Sequence, residues 1–308
     1  MKAFLPRYIE TLEQGKFAEK LHRARQLLAN CQVCPQNCRV NRLTGELGEC
    51  RTGSRPIISS FFPHFGEEAP LVGTRGSGTI FMAGCNLKCL FCQNYEISHL
   101  VEGYEVSVQR FGEMMLELQV MGCHNINVVT PSHVVPQVIE AIQFAAERGL
   151  RIPLIYNSSG YDSMTSLKLL DGIVDIYMPD FKFFDDEVAQ KYTAVKNYAK
   201  VAKKAIKEMH RQVGDLIIQN GVAVRGLLVR HLVMPGQIDQ SRNIFNFIAR
   251  NISKNTYINV MAQYRPYGEA RNYTDIARRL RHSEYYEAIQ AAKDAGLHRF
   301  DKDVTFLF

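Results

Sequence analysis

The sequence has neither a long hydrophobic run nor a large excess of charge of one sign. No stretch approaches the ~20 apolar residues that a membrane-spanning helix requires, and residues 1–10 lack the apolar core of a secretion signal. The net charge of +6 is weaker than the strongly basic footprint of a nucleic-acid-binding protein. These absences predict a cytoplasmic protein without a membrane segment, and they argue against nucleic acid as its partner.

The absence of a secretion signal also guides the interpretation of the eight cysteines. All but Cys123 lie in two clusters, and such spacings in a protein that is not exported favour metal binding over disulfide bonds. Cys123 itself is predicted to be a small buried apolar residue. The length of 308 residues, with 46% hydrophobic and 22% charged residues, fits a globular enzyme with one large domain and an appendage, or with two modest domains.

The most informative stretch is the loop from Gly84 to Asn94, which carries Cys85, Cys89 and Cys92 at C-x3-C-x2-C spacing. Three thiolates can bind three irons of a [4Fe-4S] cube, whose usual complement is four cysteines. The fourth iron would then be open to an outside ligand, as one position is in a catalytic zinc site. The alternatives are a structural zinc ion that lacks one ligand, or three unrelated buried thiols.

This motif follows a short predicted strand at Gly78–Met82 and has an aromatic residue, Phe91, before its last cysteine. It resembles the signature of the radical S-adenosylmethionine (SAM) superfamily. The resemblance implies that SAM chelates the open iron and that reductive cleavage yields a 5′-deoxyadenosyl radical, which abstracts a hydrogen atom from a substrate. It also implies an electron donor such as flavodoxin or ferredoxin, and an oxygen-poor compartment.

Apolar strand patterns and helical patterns alternate along most of the chain. Strands are predicted at 125–130, 152–156, 173–178, 225–233 and 256–263, and helices at 8–29, 108–121, 134–148, 163–170, 191–209, 242–252 and 285–295. This alternation predicts an α/β fold with a parallel sheet. Counting the strand before Cys85, the six βα units resemble the partial (β/α)6 TIM-like barrel of radical SAM enzymes. Asn220-Gly221 predicts a tight turn between two strands.

The predicted organisation has three parts. Residues 1–70 form an N-terminal helix and a four-cysteine segment, residues 71–270 the radical SAM core, and residues 271–308 a C-terminal helix and a closing segment. Within these parts, 51–75 is predicted to be a turn-rich connector, in which His64 is either a site contact or part of a packed loop. The closing segment, Val304–Phe308, is expected to cover a sheet edge.

The four-cysteine segment contains Cys31, Cys34, Cys38 and Cys50 in a loop-rich part of the chain. A metal held by all four thiolates would hold such a segment together and contribute directly to its folding free energy. Zinc and a second [4Fe-4S] cluster both accept four thiolates, so both fit. Four free cysteines are the alternative.

Candidate SAM-binding residues follow the predicted strands, because the loops after the strands of a βα barrel converge on one face. They are Thr130, Pro131, Ser132, His133, Asn157, Ser158, Asp180, Lys182, Arg230, His231 and Tyr264. Strand alternation allows only one of Arg230 and His231 to face the lumen. His133 is either a substrate group or part of a helix start at which Ser132 is the N-cap.

Two of these stretches carry a closer resemblance. Asp180-x-Lys182 and the segment Arg230–Gly236 are similar to sequences of glycyl-radical-enzyme activating enzymes, in which Asp-x-Lys is tied to the SAM carboxylate and a monovalent cation. A surface ion pair between Asp180 and Lys182 is the alternative. With the four-cysteine segment, the motif set resembles the PflX-type branch, named for its likeness to pyruvate formate-lyase activating enzyme.

That resemblance implies a protein or peptide substrate. Two departures from true activating enzymes, the added four-cysteine segment and the absence of Gly-Gly-Glu after the second strand, leave other substrates open. Radical modification of RNA or of a small metabolite is the alternative activity. A cysteine-rich electron carrier or a zinc adaptor is the non-enzymatic alternative.

Overall fold

The computed structural model describes residues 4–301, which form ten α-helices and ten strands. The helices are α1 Arg7–Glu13, α2 Phe17–Ala29, α3 Ala69–Val72, α4 Val108–Val120, α5 Val135–Glu147, α6 Met164–Leu170, α7 Asp186–Thr193, α8 Tyr198–Val213, α9 Ile238–Asn251 and α10 His282–Asp294. The strands are β1 Ile57–His64, β2 Ser77–Met82, β3 Tyr104–Glu105, β4 Ile126–Val129, β5 Leu154–Ser158, β6 Ile176–Pro179, β7 Ile217–Gln219, β8 Val222–Leu232, β9 Tyr257–Met261 and β10 Arg299–Phe300.

The strands form one curved sheet in the order β10-β9-β8-β6-β5-β4-β2-β1-β3, and β7 pairs with β8. Six consecutive strands of this order, from β9 to β2, are parallel to their neighbours. They are the six predicted βα strands, so the α/β partial-barrel prediction is confirmed. The tight turn is also confirmed: Asn220 and Gly221 both have positive φ, at 51° and 81°, between antiparallel β7 and β8.

The central strands β4, β5 and β6 are almost entirely buried, as expected for a parallel sheet that helices cover. The outer helices carry one apolar face each. In α8, Ala202, Ala205, Ile206 and Met209 are buried, whereas Lys200, Lys204 and Lys207 are exposed. Burial of these apolar faces against the sheet is the main stabilising contribution of the fold. No helix within residues 4–301 is long and apolar enough to span a bilayer.

Four local predictions are wrong or lie outside the described residues. The helix predicted over 191–209 is interrupted, since α7 ends at Thr193 and α8 begins at Tyr198. The helix predicted over 8–29 is two helices, because Gly15 adopts a left-handed φ of 66° between α1 and α2. The connector predicted over 51–75 contains the strand β1, which pairs antiparallel with β2. Residues 304–308 lie outside the described residues. Beside β9, the sheet edge is occupied by β10, which was not predicted.

The strand β1 escaped prediction because Pro63 interrupts its apolar pattern. Proline cannot donate to a ladder and is tolerated mainly at sheet edges. Here β3 pairs only with Ile57 and Ile58, so the Pro63 end of β1 has a neighbour on one side only. The three-part division of the chain stays a prediction.

Candidate active site

A cavity of about 250 Å³ lies at the carboxyl ends of the parallel strands, which is where βα barrels place their sites. The loop that carries the first cysteine cluster forms one wall, and residues from β4, β5, β6, β8 and β9 or just after them form the rest. The lining residues are Cys85, Leu87, Cys89, Phe91, Cys92, Gln93, Asn94, Ser98, Val129, Thr130, Asn157, Ser158, Ser159, Asp180, Lys182, Arg230, Leu232, Met261 and Gln263.

The cluster loop is fixed by its backbone. Lys88 and Leu90 donate their N–H groups to the carbonyls of Thr193 and Tyr192, at 3.3 and 3.0 Å, so the loop is bonded to the end of α7. The ring of Phe91 packs edge-on against Phe183. These contacts explain why an aromatic residue stands next to the last cysteine of the motif.

All three thiols of the loop line the cavity. The N–H of Leu87 donates to Cys85 Sγ at 3.4 Å, and Cys92 Sγ lies 3.1 Å from the hydroxyl of Ser98. Burial raises the pKa of Cys85 to about 11, and burial raises the pKa of Cys89 further still, although Lys182 acts to lower it. A bound metal must therefore supply the charge that keeps these sulfurs deprotonated.

Within residues 4–301, no group of three His, Cys, Asp or Glu side chains is arranged to hold a single metal ion. A tetrahedral zinc ion with its sulfurs at about 2.3 Å would hold thiolates roughly 3.8 Å apart. In a cube, each cysteine binds a different iron, which allows a wider spacing. Three thiols that share one cavity wall therefore fit an iron–sulfur cluster better than a three-ligand zinc site.

A half-buried charged cluster formed by Asp180, Lys182 and Arg230 lines the same cavity as the cysteines. Lys182 Nζ contacts Asp180 Oδ2 at 2.5 Å, and Arg230 Nε contacts Asp180 Oδ1 at 2.9 Å. Arg230 also donates to Asn157 Oδ1 at 2.8 Å. The alternative of a surface ion pair is wrong, because the side chains of Lys182 and Asp180 are only 16% and 15% exposed and both line the cavity.

The charges in this cluster stabilise one another. Burial acts to raise the pKa of Asp180, but Arg230 and Lys182 outweigh it and hold that pKa below its ordinary value. Burial likewise acts to lower the pKa of Lys182, and Asp180 with Cys89 outweighs it. The cavity therefore presents two permanent cations and one carboxylate beside the three sulfurs.

Arg230 has two further acidic neighbours that sequence reasoning missed. Glu67 Oε2 lies 3.9 Å from Arg230 Nη1, and Glu68 accepts a hydrogen bond from Asn259 at 3.0 Å. Burial raises the pKa of Glu68 to about 7, although Arg230 opposes this shift. His64 lies 3.4 Å from Glu67 and is absent from the cavity wall. The sequence signal that could have identified them is the pair Glu67-Glu68 itself, two adjacent acidic residues in a turn-rich stretch just before α3.

The stretch after β4 divides into one residue that lines the cavity and three that do not. Thr130 lines it with a left-handed φ of 61°. Pro131, Ser132 and His133 form a buried 3-10 turn that is absent from the cavity wall. The N-cap alternative for Ser132 is wrong, because α5 begins at Val135 after Val134.

His133 lies between the two cysteine segments. Its Nε2 donates to the carbonyl of Ala83 at 3.0 Å, and its own carbonyl accepts from Arg42 Nη1 at 2.8 Å. Burial and the Arg42 cation lower the pKa of His133 to about 3, so the imidazole is neutral.

The question of which side chain of β8 faces the lumen is answered by geometry. His231 points to the opposite side, where Nδ1 donates to the Phe181 carbonyl at 2.7 Å and Nε2 accepts from Ser241 at 2.8 Å. Burial lowers its pKa to about 4. Arg230 faces the cavity. Tyr264 is also turned away, since its hydroxyl donates to the Ile276 carbonyl, and Gln263 lines the cavity instead.

The four-cysteine segment lies directly beside the cluster loop. Cys31, Cys34 and Cys50 are buried and Cys38 is half-buried. Gln36, between the second and third of these cysteines, donates to the carbonyl of Asn86 at 2.8 Å. All eight cysteines are free thiols, Cys123 is buried as predicted, and none forms a disulfide.

Comparison with known proteins gives the family of this site. The model of the radical SAM superfamily matches residues 79–248, which include the cysteine loop and the strand ends after β4, β5, β6 and β8. The chain belongs to the radical SAM superfamily. It is therefore a radical SAM enzyme, for which a [4Fe-4S] cluster and SAM are the implied cofactors. The non-enzymatic alternative is wrong.

A relative in Methanocaldococcus jannaschii, named uncharacterized protein MJ0674, is 34% identical over 285 residues, which cover 90% of this chain and 78% of that protein. Among solved structures, Streptococcus suis SuiB bound to precursor peptide SuiA has a TM-score of 0.48 at 12% identity. Methylornithine synthase (PylB) also has a TM-score of 0.48, at 15% identity. The alignments cover 73% and 70% of this chain, but only 48% and 62% of those chains.

Proposed function

We propose that the chain cleaves SAM reductively at this cavity, with Cys85, Cys89 and Cys92 as the ligands of the cluster. The observation that carries the proposal is that these three thiols and the Asp180–Lys182–Arg230 cluster line the same cavity. When bound, the cluster supplies the electron that cleaves SAM to methionine and a 5′-deoxyadenosyl radical, which removes a hydrogen atom from the substrate.

The charged cluster is the binding site for the amino-acid part of SAM in this proposal. Lys182 and Arg230 supply cations for the carboxylate, and Asp180 supplies an anion for an ammonium or a monovalent cation. Asn157, Ser158 and Thr130 add uncharged polar groups on the same wall. Apolar side chains on the cavity wall, including Leu87, Val129 and Met261, provide a surface for the rest of the molecule.

The substrate in this proposal is a protein or peptide, and the chain belongs to the PflX-type branch. The support is the likeness of Asp180-x-Lys182 and Arg230–Gly236 to the activating enzymes of glycyl radical enzymes. Arg230 lies in the charged cluster at the cavity, in contact with Asp180, which is a suitable position for a residue that binds SAM.

An electron donor such as flavodoxin or ferredoxin completes the reaction. A second, open groove of about 730 Å³ lies between the four-cysteine segment and the turn after the cluster loop. Its charged lining residues are Arg51, Lys88 and Glu49, and Lys88 belongs to the cluster loop itself. A net positive groove beside the cluster loop supports an acidic electron carrier as the partner. Eight free thiols support a reducing compartment, the cytoplasm, and a second metal in the four-cysteine segment.

The test is anaerobic incubation of the reconstituted protein with SAM and dithionite, followed by chromatography for 5′-deoxyadenosine. Wild type should form the product, and Cys89→Ala should form none because one cluster ligand is missing. Cys123→Ala is the matched control, since Cys123 is a buried thiol outside both cysteine clusters. Absence of product from wild type that contains iron and sulfide would contradict the proposal.

A substrate test follows from the same reaction. A candidate peptide deuterated at its glycine α-carbons should transfer deuterium into 5′-deoxyadenosine. Transfer from a deuterated RNA or a small metabolite, with none from the peptide, would retain the chemistry and reject the protein substrate.

A further inference from the structure

Arg42 is a fully buried cation, with 1% of its surface exposed. Its Nε and Nη2 donate to the Gly53 carbonyl at 3.1 and 2.8 Å, and its Nη1 donates to the His133 carbonyl at 2.8 Å. These three hydrogen bonds end on two carbonyl oxygens, both uncharged. In the part of the chain that the structure describes, Arg42 forms no ion pair with Asp or Glu.

A buried charge without a counter-ion strongly destabilises a folded protein. Among the groups that Arg42 contacts, only one can become an anion: the thiol of Cys31, whose Sγ lies 4.0 Å from Nη1. The buried guanidinium of Arg42 thus has no anionic partner among the groups it contacts, and it lies against Cys31, one of the four cysteines.

The backbone folds the four-cysteine segment back on itself. The N–H of Cys31 donates to the Val40 carbonyl at 2.8 Å, and the N–H of Arg39, the residue after Cys38, donates to the Cys31 carbonyl at 3.0 Å. Gly48 lies so close that a Cβ atom there would be 2.7 Å from Cys38 Sγ. These contacts bring Cys31 beside the Cys38 turn and Cys38 against Gly48, two residues before Cys50, with the Arg42 cation next to Cys31.

We propose that Cys31, Cys34, Cys38 and Cys50 bind a metal centre as thiolates, and that Arg42 is the buried counter-cation of that centre. Because no three of the described His, Cys, Asp or Glu side chains are arranged around a single ion, a [4Fe-4S] cube fits the four thiolates better than Zn²⁺ does. Four thiolates around a cube in its oxidised state carry a net negative charge, and Arg42 would be the counter-cation of that charge. Arg42 is a positioning residue for this centre rather than a ligand of it.

The centre also braces the cluster loop. Gly84, which precedes Cys85, is so close to the four-cysteine segment that a Cβ atom would lie 2.5 Å from the Cys50 carbonyl. Gln36 donates to Asn86, and His133 links Arg42 to Ala83. That the braced loop carries the SAM-binding cluster rests on the proposed function. That Cys31, Cys34, Cys38 and Cys50 bind a metal centre does not depend on SAM cleavage.

The first experiment locates the centre by elemental analysis of anaerobically purified protein. A Cys85→Ala/Cys89→Ala/Cys92→Ala variant should retain the centre, and a Cys34→Ser/Cys50→Ser variant should lose it. Zinc in the first variant identifies a mononuclear site, and iron with sulfide identifies a second cluster; either supports the proposal. A triple variant that is folded but contains neither metal overturns it.

The second experiment separates a counter-cation from a simple structural brace. Arg42→Met should lower the affinity for the metal, measured by competition with a chelator, by about 10- to 100-fold, as other outer-shell partners do. Arg42→Lys keeps the charge and should stay within about three-fold of wild type. In the Cys34→Ser/Cys50→Ser background, which lacks the thiolate centre, Arg42→Met should leave the midpoint of thermal unfolding unchanged or raise it.

If Arg42→Met lowers the midpoint of thermal unfolding equally in wild type and in the Cys34→Ser/Cys50→Ser background, Arg42 stabilises the fold only through its hydrogen bonds to the Gly53 and His133 carbonyls. That result would contradict its role as a counter-cation. If Arg42→Met does not fold, Arg42→Lys decides: a retained centre supports the proposal, and a lost centre with native circular dichroism contradicts it. None of these readouts uses SAM cleavage, so their failure leaves the proposed cleavage of SAM at the Cys85–Cys89–Cys92 cavity standing.

Discussion

At the scale of single residues, the sequence leaves open which of two adjacent side chains faces the cavity, and the structure decides. Adjacent residues of β8 point in opposite directions, and the sequence allows either Arg230 or His231 to face the lumen. The structure selects Arg230 because His231 finds two hydrogen-bond partners, Phe181 and Ser241, on the other side. Asp180 and Lys182 were predictable from their motif at a strand end, whereas the acidic neighbours Glu67 and Glu68 come from a distant segment that carried no motif.

Lys182→Met tests the charged cluster most directly at this scale. Removing the cation should weaken SAM binding by about 10- to 100-fold, because hydrogen bonds to charged groups contribute about 1.5–3 kcal/mol. The measurement is the SAM concentration at half-maximal formation of 5′-deoxyadenosine. Lys203→Met is the matched control, because Lys203 lies outside the cavity and contacts the Phe184 carbonyl and ring.

A normal SAM dependence in Lys182→Met would show that the carboxylate of SAM binds elsewhere. A large loss in Lys203→Met as well would trace both effects to stability rather than to binding.

At the scale of elements, the two cysteine segments are joined at Gly84. Its φ of 80° and the Cys50 carbonyl both exclude a side chain there. Gly84→Ala should cost about 2–5 kcal/mol, since a left-handed alanine costs about 1–2 kcal/mol and overpacking against backbone adds about 1–3 kcal/mol. Gly149→Ala is the control: its φ is 96° but no atom lies within 4 Å, so only the first cost applies.

The measurements are the free energy of unfolding and the iron content after anaerobic reconstitution. Equal costs in the two alanine variants would mean that the cluster loop can move away from Cys50, and that the brace between the segments is weak.

The attachment of α1 to the barrel gives a pH dependence. Asp175 is fully buried and accepts the N–H groups of Arg7 and Leu154 at 2.9 and 3.0 Å. Burial raises its pKa to about 7. Because the unfolded chain releases this proton first, the stabilisation from the neutral carboxyl is present at acid pH and is lost as the pH rises towards 7.

Asp175→Asn removes this titration. The free energy of unfolding is measured in urea at pH 5 and at pH 8 for both proteins. Between these pH values wild type should lose about 2–3 kcal/mol that the variant does not lose, so the stability of the variant relative to wild type rises by that amount. Buried histidines such as His133 and His231 contribute equally to both proteins and cancel in the comparison. A difference that does not change with pH would contradict a raised pKa for Asp175.

At the scale of the whole molecule, the order of the parallel strands was predictable because their apolar runs alternate with amphipathic helices. The strands that escaped prediction, β1, β3 and β10, are short, antiparallel or placed at the edges, where pairing depends on distant partners rather than on local pattern. The same limit applies to the site. Motifs identified the cysteine loop and the Asp180–Lys182 pair, but only the fold could bring Glu67 to Arg230 and Cys50 to Gly84.

The central claim is that one iron of the cluster is left free by the protein and binds SAM. Electron–nuclear double resonance of the reduced protein, with SAM labelled by ¹⁵N at its amino group or ¹⁷O at its carboxylate, tests this claim most directly. We predict a hyperfine coupling between the label and the cluster. A cluster signal that shows no coupling and does not change when SAM is bound would contradict the account.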